Sequence, residues 1–485
     1  MTLLEAGTWT GKIFSDGWQK SAGGISSVME PATGSELGSV GLGSPEDVAD
    51  AVARAAAVQP GWAATSFEER AAVLRRAGAL WEEHAAEVQD WLVREAGSIP
   101  PKAEVETHVA AQECYEAAAL ASHTLGDILP TARPRLSLAR RRPVGVVGVI
   151  APFNYPLILS IRSVAPALAL GNSVVLKPDP RTAVTGGIAL ARVFEEAGLP
   201  PGVLQVLPGD LVVGEALVEH PRVPVISFTG SSAAGRLVGA ACGRQLKRSL
   251  LELGGNSALI VLDDADLDLA ASAGAFGSFL HQGQICMATG RHLVHASIAD
   301  DYVERLAAKA DQLPVGNPAT EQVALGPLID ARQRDKVHGL VTSSVSGGAT
   351  LAAGGRYEEL FYRPTVLAGP AAGTPAYDGE VFGPVAAVTR FSDLDEAVAL
   401  ATDSEYGLAL GILGDVSTAL ALADRIPTGI VHINDQTVDD EAVAPFGGRG
   451  ASGTGARFGG PAANIEAFTE TQWLTMQGAI APYPF

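Results

Sequence analysis

From about residue 143 the chain changes to apolar, β-branched runs that alternate with helical stretches, and this alternation narrows the choice of fold more than any other feature. "VGVVGVI" reads as a buried strand, "PLILSIRSVAPALAL" as a helix and "NSVVLKP" as a strand. "TAVTGGIALARVFEEAG" reads as a helix closed by Gly198, and "VLQVLPG" and "VPVISFTG" as strands that each lead into a helix. A second series starts near residue 256 with "SALIVL", a long helix through 280 and "RHLVHASI", and continues with "GPVAAVTRF" and "LALGILG". Strands without a polar face imply parallel sheets covered on both sides. The expected fold class is therefore α/β, with two lobes and a crevice between them. Upstream, residues 44–122 read as helices. Ser44-Pro45-Glu46-Asp47 and Ser66-Phe67-Glu68-Glu69 both have the capping-box form, and each precedes apolar residues at helical spacing.

The uncharged span 143–161, "PVGVVGVIAPFNYPLILSI", is long enough to raise the question of a membrane helix. Pro143, Pro152, Pro156, two glycines and Asn154 would break such a helix. A buried strand, a loop and a helix start account for it instead. The N-terminus has neither a basic region nor an unbroken apolar one, so no signal peptide is expected. Cys114, Cys242 and Cys286 are too few, and odd in number, for a disulfide framework. The expectation is a reduced, cytoplasmic protein. Its 34 Lys and Arg against 54 Asp and Glu give a formal charge of −20, which repels phosphate backbones and argues against a nucleic-acid partner. A phosphate-bearing cofactor stays open, because a helix N-terminus and one lysine reverse the sign locally. "RPRLSLARRR" and "AFTETQWLTM" alternate with no helix nearby, so either reads as an exposed strand seeking a partner, which points to oligomerisation.

Two segments have the makings of a cofactor site. In "VISFTGSSAAGRLVGAA", a strand, a turn and a helix, Gly230 and Gly235 allow close backbone approach, while Ser231 and the first helical amides suit a pyrophosphate. The spacing is not G-x-G-x-x-G, and a glycine at a strand–helix turn is, taken alone, more often ordinary turn chemistry. In "VVLKPDPRT", Lys177 stands at the carboxyl end of a strand, where α/β sheets bind ligands, and Pro178 and Pro180 hold the following loop extended. Alone it reads as a solvated strand-end lysine; beside the 230–235 turn a ligand contact is an equal reading.

The chemistry concentrates elsewhere. Cys286 lies in the small-residue loop "GQICMATGR", after a helix end marked by Gly283, as a nucleophilic thiol requires. Glu252 ends a strand between Leu251 and Leu253; it is either a solvated strand-end charge or, with those apolar neighbours raising its pKa, a general base. The two glycines after it leave room for a ligand. Asn154 in "PFNYP" is a neutral donor suited to an oxyanion, or a turn residue. No histidine motif pairs with Cys286, and no His/Cys/Asp cluster has metal-ligand spacing, so no metal is expected.

Together these segments resemble the NAD(P)-dependent aldehyde dehydrogenase superfamily, in order and over nearly the whole chain. "PFNYP", "LKP", "FTGS", "ELGG", "GQIC", "EVFGPV" and "PFGGRGASG" carry the resemblance. It implies Cys286 as nucleophile, Asn154 and the Cys286 backbone amide as oxyanion donors, and Glu252 as the base that activates water on a thioester. It implies Lys177 and Glu380 on the two cofactor riboses, Phe382 against the nicotinamide, and Gly230, Ser231, Gly235 and Leu253 along the cofactor. The implied layout is a Rossmann-like NAD(P)-binding domain from 1–122 and 143–253, a catalytic domain from 254–453, and a small β oligomerisation element from 123–142 and 465–485. A homodimer or homotetramer follows.

"GSIPPKAEVE", "SIRSVAPALALGNSVVLKPDPRT", "GQICMATGR" and "HINDQTVDDEAVAPFGG" look most like the benzaldehyde and vanillin dehydrogenase branch, which implies aromatic aldehydes oxidised to acids. The helix after Asn154 is expected to bring Tyr155, Leu159 and Arg162 to the substrate, with Met287 beside the nucleophile. Arg162 either meets a ring hydroxyl or carboxylate, or pairs with an Asp or Glu of the neighbouring domain. Many NAD-using relatives carry a glutamate where this chain has Pro180. Its loss, with Arg181 next, removes an objection to a 2′-phosphate, so NAD and NADP are both expected to serve. The alternatives are a semialdehyde or aliphatic aldehyde dehydrogenase, a CoA-acylating relative, and a catalytically silent nucleotide-binding or structural protein.

Overall fold

The computed structural model describes residues 2–485. Both capping boxes form. The Ser44 hydroxyl accepts from the Asp47 amide at 3.1 Å and the Ser66 hydroxyl from the Glu69 amide at 3.2 Å, while each N3 carboxylate returns a bond to the cap amide. They start the helices Pro45–Ala64 and Phe67–Glu83, which are followed by Ala85–Ala96 and Pro100–Leu120. Pro45–Ala64 packs on one face of a seven-stranded sheet, and the other three lie on the opposite face.

That sheet takes its centre from the apolar runs. Its strands, in spatial order, are Arg248–Glu252, Val225–Thr229, Val146–Ile150, Ser173–Lys177 and Leu204–Val206, all parallel. Lys12–Phe14 and Trp18–Lys20 extend it antiparallel, from a region where the sequence suggests no strand. Every residue of Val146–Ile150 is buried, as is every residue of the helix Pro156–Ala169 that follows. The uncharged span 143–161 is thus a strand, a loop and a helix start, and no described helix is long and apolar enough to cross a membrane. A second seven-stranded sheet runs Thr350–Ala353, Thr365–Ala368, Val385–Phe391, Thr289–His295, Ser257–Val261, Ala409–Leu413 and Ile430–Ile433, parallel except at its first strand.

Three expectations need correction. The two candidate edge strands pair with each other. Leu136–Pro143 is the centre of a three-stranded antiparallel sheet, flanked by Gly126–Ile128 and Thr469–Met476, and only the latter two are edges. A helix, Pro461–Phe468, also runs directly into the last strand, so Ala467 and Phe468 are helical. Finally, "TAVTGGIALARVFEEAG" is not one regular helix. Pro180–Thr182 is a 3₁₀ turn, Val184–Ile188 a π-helical turn, and only Ala189–Glu196 is α-helical. Packing explains the wide turn: a Cβ on Gly187 would lie 2.6 Å from Pro178, and Glu95, buried beneath, accepts from the amides of Val184 and Thr185 at 2.8 Å. A π-turn beside a functional loop is a recurrent arrangement.

Candidate functional site

The loops that leave the carboxyl ends of the first sheet meet the loop that carries Cys286. Helix Leu267–Phe279 ends in a tight turn whose residues His281, Gln282 and Gly283 all have left-handed backbones, with φ of 48°, 57° and 64°. Left-handed backbone at two non-glycine residues costs on the order of 1–3 kcal/mol each. Gln282 offsets part of it by donating to the carbonyls of Gly97 and Pro327 at 3.0 and 2.7 Å. At Gly283 a Cβ would stand 2.0 Å from the Gly383 carbonyl oxygen, so only glycine fits. The turn delivers Cys286 between two cavities.

Asn154 is buried and lines both cavities with Cys286. Its side-chain amide donates to the Gln284 carbonyl at 2.9 Å, which leaves one N–H for a ligand. A buried Lys102 donates to the Asn154 carbonyl at 2.9 Å, pairs with Glu106, and lies 4.2 Å from the Tyr155 ring centre. Glu106 in turn accepts from the Leu157 amide at 2.9 Å. This pair fixes the Asn154 segment and was missed as a functional feature. The i,i+4 spacing in "PPKAEVE" was its signal.

Glu252 is buried at its strand end, as its apolar neighbours suggested. One carboxylate oxygen accepts from the Gly448 amide at 3.3 Å, and the other has no hydrogen-bond partner among the described residues. Burial raises its pKa well above the carboxylate range, while Arg162 and Arg457 pull it back. The late segment "PFGGRGASG" folds onto this strand, with the Ser452 carbonyl accepting from the Leu253 amide at 2.9 Å. Both glycines after Glu252 admit close protein contacts: a Cβ on Gly254 would meet the Glu380 carboxylate at 2.3 Å, and one on Gly255 the Cys286 carbonyl at 2.5 Å. Gly254 also lines a cavity beside Cys286. Burial, with the charges of Glu380 and Glu252, pushes the Cys286 thiol up to about 12. Cys114 and Cys242 are buried in helices, and all three cysteines are free.

On one side of Cys286 a cavity of about 160 Å³ is lined by Phe153, Thr229, Gly230, Ser231, Leu253, Glu380 and Phe382 among others. Glu380 accepts from the Gly255 amide at 3.0 Å, and burial pushes its pKa up to about 7. Gln333 and Lys336, from the helix Ala331–Ser346, also face this cavity and carried no sequence signal. Gly235 contributes from behind, since Leu253 packs where its Cβ would be, at 2.3 Å. Further out, a groove of about 460 Å³ runs between the helices Leu211–Glu219 and Ser232–Arg244. Lys177 lies at its floor, with its pKa lowered by burial against the pull of Asp179 and Asp210. An apolar groove, a buried lysine, a helix N-terminus at Ser231 and a second cavity reaching Cys286 lie along the carboxyl ends of the first sheet, an arrangement that suits an extended dinucleotide.

Pro180 and Arg181 line neither of these spaces. Pro180 opens the 3₁₀ turn. Arg181 donates from Nε and Nη2 to both Asp179 oxygens at 2.9 Å and from Nη1 to Asp330 at 2.8 Å. A guanidinium committed to two carboxylates has little left for a 2′-phosphate, which corrects the expectation drawn from its position.

On the other side of Cys286 a cavity of about 230 Å³ is lined by Tyr155, Leu159, Arg162 and Met287, all four as expected. The sequence reading missed Phe276, Leu280, Val438, Asp440 and Phe446, which complete it. Arg162 takes the second of its two readings: it pairs with Asp440 and lies 4.5 Å from the centre of the Phe446 ring. Burial opposes its charge, and the carboxylates of Asp440, Glu113 and Glu252 outweigh that opposition.

Comparison with known proteins places this geometry. The model described as "Aldehyde dehydrogenase family" matches residues 18–474. A vanillin dehydrogenase of Amycolatopsis sp. is 72% identical over 486 residues and covers 100% of both chains. A benzaldehyde dehydrogenase [NAD(+)] of Pseudomonas putida is 51% identical over 98% of both. The crystal structure of betaine aldehyde dehydrogenase from Staphylococcus aureus in complex with NAD+ superimposes with a TM-score of 0.96 at 29% identity, covering 100% of this chain and 98% of that one.

Proposed function

The chain belongs to the aldehyde dehydrogenase family, and on that premise we propose that it oxidises aromatic aldehydes of the benzaldehyde and vanillin type to carboxylic acids with a nicotinamide dinucleotide. One observation carries the reading: Cys286 stands where a mostly apolar cavity with two phenylalanines and a tyrosine meets the cavity lined by Gly230, Ser231, Glu380 and Phe382. The names and high identities of the vanillin and benzaldehyde relatives support the substrate class.

In this account the Cys286 thiol gives up its proton to water as its sulfur attacks the aldehyde carbon. The free N–H of the Asn154 amide and the Cys286 backbone amide take the oxyanion, and Lys102 keeps Asn154 in place through its carbonyl. A bound nicotinamide supplies the hydride acceptor. Glu252 then withdraws a proton from the water that cleaves the thioester, a role its burial suits by making the carboxylate more basic. Lys177 and Glu380 hold the riboses, the turn at Gly230 and Ser231 the phosphates, and Phe382 the nicotinamide face. The three-stranded sheet, with its exposed edge Thr469–Met476, joins subunits into a dimer or tetramer.

The pairing of Arg162 with Asp440 bears on the rival substrates. A semialdehyde dehydrogenase needs a cation for the second carboxylate, and here that cation is already neutralised, with Asp439 adding a further negative charge to the lining. A CoA-acylating enzyme has no use for a buried general base such as Glu252. For the cofactor, Arg181 is occupied, yet Pro180 presents no carboxylate to repel a 2′-phosphate. NAD+ is the better cofactor and NADP+ also works, with kcat/KM values within about a thousandfold, or roughly 4 kcal/mol.

The test follows reduced-nicotinamide absorbance with benzaldehyde, vanillin, hexanal and succinic semialdehyde, each with NAD+ and NADP+. Turnover highest for the aromatic pair and absent in Cys286→Ala supports the proposal. Preference for hexanal or the semialdehyde overturns the substrate class and leaves the family chemistry intact.

A further inference from the structure

The residue that failed as a phosphate ligand occupies a telling position. Arg181 leaves the first lobe beside Lys177 and reaches Asp330 in the second, where Asp330 caps the helix Ala331–Ser346 by accepting from the Gln333 amide at 2.8 Å. The same guanidinium lies over the Phe153 ring, 4.2 Å from its centre. Phe153, from the first lobe, meets Phe382, from the second, edge to face at 5.9 Å. Phe382 has a left-handed backbone, φ 55°, and its carbonyl accepts from the Gln333 side chain at 2.7 Å. Phe153, Gln333, Lys336 and Phe382 all line the cavity that ends at Cys286. One arginine therefore ties down both walls of that cavity: it presses one aromatic ring from behind and fixes the cap of the helix that holds the other.

We propose that Arg181, chelated by Asp179 and Asp330, is a clasp between the lobes that sets the width of the nicotinamide end of the cofactor cleft. It is a positioning residue, acting through Phe153 and Phe382, and the proposal rests on the dinucleotide reading given above. Nε, Nη1 and Nη2 all donate to Asp179 or Asp330, so the guanidinium serves the clasp rather than a phosphate. Opening it widens the slot for either dinucleotide alike and leaves the aldehyde cavity, on the far side of Cys286, unchanged.

NADH and NADPH fluorescence titrations of wild type, Arg181→Ala, Arg181→Lys, Asp330→Asn and the Arg181→Ala/Asp330→Asn double variant test this without requiring turnover. An asparagine in place of Asp330 can still cap the helix, so that variant removes the charge alone. The expected result is a dissociation constant raised about tenfold for both nucleotides in either Arg181→Ala or Asp330→Asn, as for loss of one charge-assisted contact. The double variant binds no more weakly than these singles, because both break one clasp. Lysine, which lacks the fork to bridge two carboxylates, restores only part of the affinity. The KM for aldehyde stays at the wild-type value. A loss confined to NADPH would overturn the clasp and make Arg181 a phosphate ligand, and unchanged binding of both would overturn it outright. Wild type binding neither nucleotide would instead bring down the cofactor reading beneath it.

Discussion

The two cavities that meet at Cys286 are built in different ways. The cofactor side is made of strand ends, glycine turns and helix starts, so its residues come in short local groups: Gly230 with Ser231, Leu253 with Gly254, Glu380 with Phe382. The substrate side is made of single side chains from distant places, with Phe276 on one helix, Leu159 and Arg162 on another, and Asp440 and Phe446 on a late loop. Backbone geometry dictates residue type wherever it is tight, as at Gly254, Gly255 and Gly283. Side-chain walls accept many residues of similar size. The first side is thus constrained in residue type by its backbone, and the second tolerates more exchange among side chains of similar size.

Substitutions at the junction should damage both sides. Cys286→Ala is expected to lower turnover of every aldehyde by about four orders of magnitude or more, read from nicotinamide absorbance. Residual activity of a few per cent would mean that another group attacks. Glu252→Gln should cost about 10²- to 10⁴-fold in steady-state rate while the first turnover survives, which rapid mixing would reveal as a burst. That variant also removes a negative charge facing Cys286, so its thiol should alkylate faster than wild type at equal pH. Because burial holds the wild-type thiol at about 12, its alkylation rate should climb through pH 9 without a plateau. A plateau below pH 7.5 would contradict the environment described for it.

Smaller effects separate the cavities. Asp440→Asn leaves the buried Arg162 charge without its ion-pair partner and should destabilise the fold by about 3 kcal/mol in denaturant titration. No change in stability would show that Glu113 and Glu252 suffice to hold that charge. Phe446→Leu should lower kcat/KM for benzaldehyde about tenfold, and less for hexanal, with the KM for NAD+ unchanged. An equal loss for both aldehydes would remove the aromatic wall from the account.

The same contrast explains what the sequence could convey. The strand–helix alternation and both capping boxes were legible because local geometry and local residue type coincide there, whereas Cys286, Glu252 and Asn154 stood out only through the ordered series of motifs that carries the resemblance. The pairing of Leu136–Pro143 with Thr469–Met476 was not, since alternating polarity names a strand without naming its neighbour. Arg181 was misread for a related reason. Its place in the chain, beside Lys177, suggested the cofactor, whereas it is held by Asp179, two residues away, and by Asp330, 149 residues away. Phe276, Asp440 and Phe446 carried no local mark, because a cavity wall is defined only when the lobes close on each other.

The central claim is that Cys286 forms an acyl intermediate from an aromatic aldehyde and that Glu252 releases it. Intact mass and peptide mapping of Glu252→Gln, mixed with benzaldehyde and NAD+, test it directly. The account predicts one benzoyl group on the peptide containing Cys286, dependent on NAD+ and absent without it. An unmodified Cys286 while reduced nicotinamide accumulates, or a benzoyl group on any other residue, would contradict it.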